Sequence, residues 1–69
     1  MPNNTYKVVE IVGTSSESIS EAIKNGVKKA SETLRHLGWF EVVQARGQIK
    51  DGKISHYQVT LKLGFTLED

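Results

Sequence analysis

Three side chains of this 69-residue sequence are of types that bind small molecules: Trp39, Gln58 and Arg46. Trp39 is the only tryptophan, and its indole offers a flat face on which a planar ligand can stack. The amide of Gln58 carries both a donor and an acceptor, so it can pair with the edge of a heterocycle. The guanidinium of Arg46 can clamp a phosphate or a carboxylate. Trp39 and Gln58 together favour a binding site for a flat aromatic molecule.

Residues that could form or break covalent bonds are scarce. The sequence has no cysteine, which excludes disulfides, thiolate metal ligands and a cysteine nucleophile. His36 and His56 are too few for a typical structural zinc site. Gly13 is not followed by the Gly-Lys-Ser/Thr of a phosphate-binding loop. We therefore predict that the protein is not an enzyme and holds no metal.

The three candidate residues also have ordinary structural interpretations. A lone tryptophan in a small protein packs in a core or a subunit interface about as often as it binds a ligand. For Arg46, a solvated or intersubunit charge is favoured about two to one over a clamp. The residue types alone leave these alternatives open.

The first half of the chain predicts a strand followed by a helix. Residues 6–12 are rich in β-forming residues and run into Gly13, which we interpret as the end of the strand. Ser18 and Glu21 have the spacing of a capping box, so we place a helix over 18–36, with Gly38 as its C-terminal stop. Its apolar face recurs at steps of three and four residues: Ile19, Ala22, Ile23, Val27, Ala30, Leu34 and Leu37.

The second half predicts a long hairpin. Asp51-Gly52 between two β-rich segments is typical of a type I′ turn, which pairs Lys50 with Lys53. Continued outward, this register pairs Trp39 with Gly64. It places Trp39 and Gln58 on the face away from the helix. It assigns Arg46 to the helix-facing set, far out on the hairpin.

These elements predict an α+β fold with the order β-α-β-β in a single domain over residues 1–69. We expect a three-stranded antiparallel sheet, in the order 2-3-1, wrapped around one helix. The third strand has the most continuous apolar face, which suits the central position. The alternative places the first two strands side by side in parallel, joined by a right-handed crossover.

Chain length, net charge and hydropathy indicate how the protein is stabilised, which partners it contacts and where it is located. A single core of this length is marginal, and strands of about 12 residues would extend roughly 40 Å, beyond the cover of one helix. Self-association is the expected solution. A net charge of +1 is not that of a nucleic-acid binder. Without a signal peptide pattern or an apolar run of about 18 residues, we expect a cytoplasmic protein that contacts no membrane.

The sequence resembles the dodecin family along nearly its whole length. Four segments carry the resemblance: VEIVGTS at 9–15, TLRHLGWFEV at 33–42, RG at 46–47 and YQVTLKLGF at 57–65. The resemblance implies a hollow homododecamer in which flavins stack between tryptophans of symmetry-related subunits. Trp39 matches the stacking tryptophan and Gln58 the glutamine that hydrogen-bonds the flavin ring. Arg46 matches an arginine of the bacterial branch, which we assign to the phosphate or ribityl side of the ligand.

The resemblance also implies which ligand is bound. The archaeal branch carries acidic residues, partly linked to divalent ions, where this sequence has Gln44 and Gln48. This favours FMN as the ligand, with riboflavin or lumichrome as the alternatives. Coenzyme A is a further ligand reported for some members, at the shell. The predicted function is flavin storage or buffering with quenching of photoreactivity. The alternative is a structural shell or interaction protein without a physiological flavin.

Overall fold

A computed structural model describes residues 3–67, which form four elements in the predicted order. They are β1 (Tyr6–Ser15), α1 (Ile19–Ser31), β2 (Leu37–Lys50) and β3 (Lys53–Thr66). The strands form one antiparallel sheet in the order β1-β3-β2, which confirms the predicted 2-3-1 order and excludes the parallel alternative. The sequence of residues 1–4 predicts a short frayed start to the chain, and the first two of these residues lie outside the described range.

β1 does not end at Gly13, so that prediction was wrong. The strand continues to Ser15, and Gly13 pairs with Val59 on β3. α1 crosses β1 at this point, and a Cβ on Gly13 would collide with the carbonyl oxygen of Ala22. A Cβ on Gly26 would likewise lie 3.2 Å from the Cα of Gly13. Both glycines are explained by this close helix–strand contact.

The helix begins as predicted. Ser18 is the N-cap, and its hydroxyl accepts a hydrogen bond from the backbone N–H of Glu21 at 3.0 Å. The reciprocal half of the capping box is replaced by Ser15, whose hydroxyl accepts from the N–H groups of Glu17 and Ser18. The serine-rich loop therefore terminates β1 and starts α1 with its own side chains.

The helix ends five residues earlier than predicted, at Ser31 rather than at residue 36. Its last carbonyl groups are satisfied by a tight turn, in which the N–H groups of Thr33 and Leu34 both donate to the oxygen of Ala30. The left-handed residue before β2 is His36, with φ of 63°, and not Gly38, which lies within β2. Leu34 and Leu37 still pack against the core from outside the helix, which is why the apolar spacing overestimated its length.

The hairpin turn is of the predicted type, with positive φ at both Asp51 (54°) and Gly52 (74°). The pairs Lys50–Lys53 and Trp39–Gly64 are as predicted. Between them the register is shifted by one residue, because irregularities interrupt the pairing between Gln48 and Ile49 and between Val42 and Gln44. The shifted segment contains Arg46 and Gln58 but not Trp39.

The core lies between α1 and the β1–β3 half of the sheet. Within residues 3–67 its buried members are Ala22, Ala30, Val59, Leu61 and Leu63. β2 extends beyond this cover, and Phe40 is 51% exposed beside an apolar groove of about 510 Å³ along the helix. The radius of gyration is 14.3 Å, against about 11 Å for a compact chain of this length. The long, partly uncovered hairpin that the sequence predicted is confirmed.

Candidate functional site

Trp39 lies on the face of the sheet opposite the helix, which we call the outer face. It pairs with Gly64 of the central strand, and its indole occupies the space that a side chain at position 64 would fill. A Cβ on Gly64 would collide with indole carbons and lie 2.6 Å from the indole nitrogen. The missing side chain therefore lets the indole rest directly on the sheet.

Tyr6 contacts the same indole from the other edge strand. The two ring centroids are 6.1 Å apart and the ring planes are tilted by 59°, within the range of favourable aromatic pairs. The indole nevertheless remains 39% exposed. Trp39 is thus supported from the sheet and from one side, while part of its surface is open to a ligand.

Arg46 also lies on the outer face, which corrects the sequence prediction. The register expected from an uninterrupted hairpin assigned it to the helix side. Instead, Val43 is an extra residue in β2, and this bulge reverses which residues of the following segment face outward. Arg46 pairs directly with Gln58, while Ala45, predicted to face outward, pairs with the buried Val59.

The guanidinium of Arg46 is oriented by the central strand. Its Nη2 donates a hydrogen bond to the hydroxyl of Thr60 at 3.3 Å. Gln58 lies next to it, directly opposite Arg46 and half-buried. Gln44 and Gln48 flank Arg46 on the same face, because they pair with Thr60 and His56. This part of the outer face offers amide and guanidinium donors together.

The aromatic and the polar groups lie at different positions along the sheet. Gln58 precedes Gly64 by six residues of β3, which is about 20 Å at roughly 3.3 Å per residue. The hydrogen bond to Thr60 directs the guanidinium of Arg46 toward the aromatic end. One chain therefore carries Trp39 and Gln58 on one face but does not bring them together.

Two further features of the described residues bear on the ligand class. Within residues 3–67, no three histidine or acidic side chains are grouped closely enough to hold a metal ion. In the same range, no helix is both long and apolar enough to cross a membrane.

The sequence of residues 5–68 matches the family model for Dodecin. The chain belongs to the dodecin family. It is 50% identical over 64 residues to a dodecin of Thermus thermophilus, with 93% of each chain covered. The solved dodecin of Streptomyces coelicolor is 58% identical, covers 100% of this chain and 99% of its own, and superposes with a TM-score of 0.93. A more distant structure is the calcium dodecin of Mycobacterium tuberculosis, an antigen described as calcium-chelating, at 28% identity, TM-score 0.80 and coverage of 93% and 91%.

Sequence reasoning missed three residues that contact the candidate site residues: Tyr6, Thr60 and Gly64. Gly64 could have been found, because the predicted register already placed it opposite Trp39. Tyr6 could not have been found, because it meets Trp39 across the central strand. The two rings can approach there because Gly64 has no side chain. The hydrogen bond to Thr60 depends on the bulge at Val43.

Proposed function

We propose that this dodecin binds FMN on its outer face, sequesters it in a homododecamer and suppresses its photoreactivity. Membership of the family supports a flavin-binding protein assembled from copies of one chain. The observation that carries the finer proposal is the partly exposed indole of Trp39 on the same face as Gln58 and Arg46. We place the protein in the cytoplasm and assign it no enzymatic activity and no metal.

The separation between Trp39 and Gln58 favours a site shared between subunits. A flavin ring stacked on Trp39 cannot also reach Gln58 of the same chain, about 20 Å away along the strand. A second copy, applied to the outer face, supplies Gln58 to the ring edge. The other ring face is closed by a further stacked ring and the second copy's Trp39. The exposed apolar side chains of the outer face, Val8 and Val12, give such a contact an apolar component.

Arg46 favours a phosphorylated flavin. Arg46 and Gln58 are direct neighbours, so one copy can contact the ring edge and the phosphate or ribityl side of the same ligand. Guanidinium–phosphate hydrogen bonds are charge-assisted and stronger than those between neutral groups. Riboflavin and lumichrome lack the phosphate, so they gain nothing from this contact.

The indole supplies the protective effect. Stacking removes the ring from water and from reactive solutes. The indole of Trp39 can donate an electron to an excited flavin, and return of that electron dissipates the light energy without net chemistry. Bound FMN should therefore lose its fluorescence.

Replacement of Trp39 tests the proposal. We expect Trp39→Ala to weaken FMN binding by about tenfold or more, since stacking contributes about 0.5–1.5 kcal/mol beyond the buried area. Trp39→Phe keeps an aromatic face but is a poor electron donor, so it should retain more binding and lose quenching. Both are measured by titrating FMN fluorescence and by equilibrium dialysis of the assembled protein. Unchanged binding by Trp39→Ala would refute the site.

The competing function is a structural shell or interaction protein. It predicts a colourless protein that leaves FMN fluorescence unchanged, with an indole that only packs an interface. Sedimentation of the purified protein tests the assembly separately, with twelve chains expected. Coenzyme A is a second ligand that the resemblance implies, and no residue is assigned to it; excess coenzyme A should leave FMN quenching intact if its site is separate.

A further inference from the structure

We propose that Gly64 and Tyr6 are positioning residues that hold the indole of Trp39 in one orientation before any ligand arrives. This inference rests on the proposed flavin site but concerns residues outside the assigned set of Trp39, Gln58 and Arg46. Gly64 provides the space that the indole occupies, and Tyr6 limits its movement from the side.

Gly64 leaves room for the indole of Trp39 to rest on the sheet. The indole atoms Cε2, Cζ2 and Nε1 all lie too close to the position of a Cβ on Gly64 for the two to coexist. Gly64 is itself buried beneath them. A methyl group there cannot coexist with the present indole position. Since the indole turns about only two side-chain bonds, it would have to rotate away from the sheet.

Tyr6 contacts the indole of Trp39 from the opposite edge of the sheet. Trp39 belongs to β2 and Tyr6 to β1, which lie on opposite sides of β3. The rings can approach to 6.1 Å because they meet above a position of β3 without a side chain. All three strands therefore contribute to the orientation of one side chain.

A pre-oriented indole should raise the affinity of the site for FMN. A stacking site binds more tightly when its aromatic group is already held in the bound orientation, because less conformational freedom is lost. Gly64→Ala and Tyr6→Leu should each weaken FMN binding by about two- to tenfold, the size of an aromatic stacking contribution. Tyr6→Phe keeps the ring and should retain most of the affinity.

The test uses the assembled protein without ligand, because Trp39 is its only tryptophan and reports on itself. We expect Gly64→Ala to reduce the near-ultraviolet circular dichroism of the indole and to increase quenching of its fluorescence by acrylamide. Gly38→Ala is the matched control, since its Cβ would make only ordinary contacts, 3.5 Å from the Tyr6 ring. Sedimentation and far-ultraviolet circular dichroism verify that each variant is assembled and folded.

The outcomes separate this inference from the proposed function. If Gly64→Ala and Tyr6→Leu leave the dichroism and the acrylamide quenching as in the parent protein, positioning is refuted, whether or not flavin binds. If both variants change these signals and the parent protein does not bind FMN, the proposed function fails and the positioning role stands. If Gly64→Ala fails to assemble, Tyr6→Leu against Tyr6→Phe decides the matter by the same two signals.

Discussion

The two faces of the sheet each contain a glycine in close contact, and the contacts differ in kind. On the helix face, Gly13 lies against the backbone of α1, at the carbonyl of Ala22. On the outer face, Gly64 lies against the side chain of Trp39. A backbone within a helix cannot move without moving the helix, whereas an indole can rotate alone. The same substitution should therefore affect folding on one face and ligand binding on the other.

The two faces of the sheet therefore have different roles, one in folding and the other in the proposed ligand binding. The helix face contains the buried side chains Val59, Leu61 and Leu63. The outer face contains the indole, amide and guanidinium groups and only partly buried or exposed side chains around them. Substitutions that alternate along β3 should thus alternate in effect. Four predictions test this separation.

The largest effect is expected at Leu61, which is fully buried with 0% exposure. Leu61→Ala should lower the free energy of unfolding by about 2–5 kcal/mol, because it removes packed methyl groups and leaves a cavity. The measurement is urea unfolding at fixed protein concentration, since assembly makes stability concentration-dependent. Thr60→Val, one residue away on the outer face, is the control and should change stability by less than about 1 kcal/mol. Equal losses at both positions would contradict the separation of the faces.

The next effect is expected at Gly13. Gly13→Ala should destabilise the fold by about 1–3 kcal/mol, since the helix must shift to admit a methyl group. Gly38→Ala adds the same methyl group on β2 in ordinary contact distance. Thermal unfolding of both variants at one concentration compares them. A Gly13→Ala protein as stable as Gly38→Ala would show that the helix contact is not rigid.

The third effect concerns ligand choice and tests the polar end of the outer face. Arg46→Ala should weaken FMN binding by about ten- to hundredfold and leave riboflavin binding nearly unchanged, because charge-assisted hydrogen bonds to the phosphate contribute about 1.5–3 kcal/mol. Lys50→Ala removes an exposed cation from the same hairpin and is the matched control. Calorimetric titration with both flavins measures the ratio of affinities. A similar loss for both flavins would reassign Arg46 to the ring or to the assembly.

The smallest effect is expected at the start of α1. Ser18→Ala should cost about 1 kcal/mol, because the N–H of Glu21 loses its capping acceptor. Ser20→Ala, two residues later and exposed, should be neutral or slightly stabilising because alanine favours the helix. Flavin affinity should not change in either variant, since the cap of Ser18 lies on the helix side of the sheet, although β1 pairs Thr14 with Gln58 nearby. A change in affinity with Ser18→Ala would show that the two faces are coupled.

The sequence predicted the fold where local and global signals agreed. The Asp51-Gly52 turn, the antiparallel order and the Ser18 cap each depend on short-range chemistry, and all are confirmed. The helix end was wrong because Leu34 and Leu37 continue the apolar spacing from a turn and a strand. Periodicity shows which residues reach the core and not which backbone conformation carries them there.

The candidate site was predicted only in part. Trp39 and Gln58 were assigned to the outer face by parity, and the structure places them there. Arg46 was assigned to the wrong face because no residue type marks the bulge at Val43. A β-branched residue in a strand gives no indication that it is unpaired. The roles of all three in binding remain predictions until a ligand is tested.

The hairpin contains two bulges, one in each strand, that offset each other. β3 contains an extra residue near Ser55, and β2 contains one at Val43, so the two displacements cancel. The turn and the Trp39–Gly64 pair therefore keep the register of an uninterrupted hairpin, while the segment between them is displaced by one residue. Loss of Val43 alone would remove one bulge and leave the pairs on both sides of it unchanged, because Val42 and Gln44 already pair with consecutive residues of β3. A lineage that lost both extra residues would have a hairpin without these two bulges, in which Arg46 still pairs with Gln58 on the outer face.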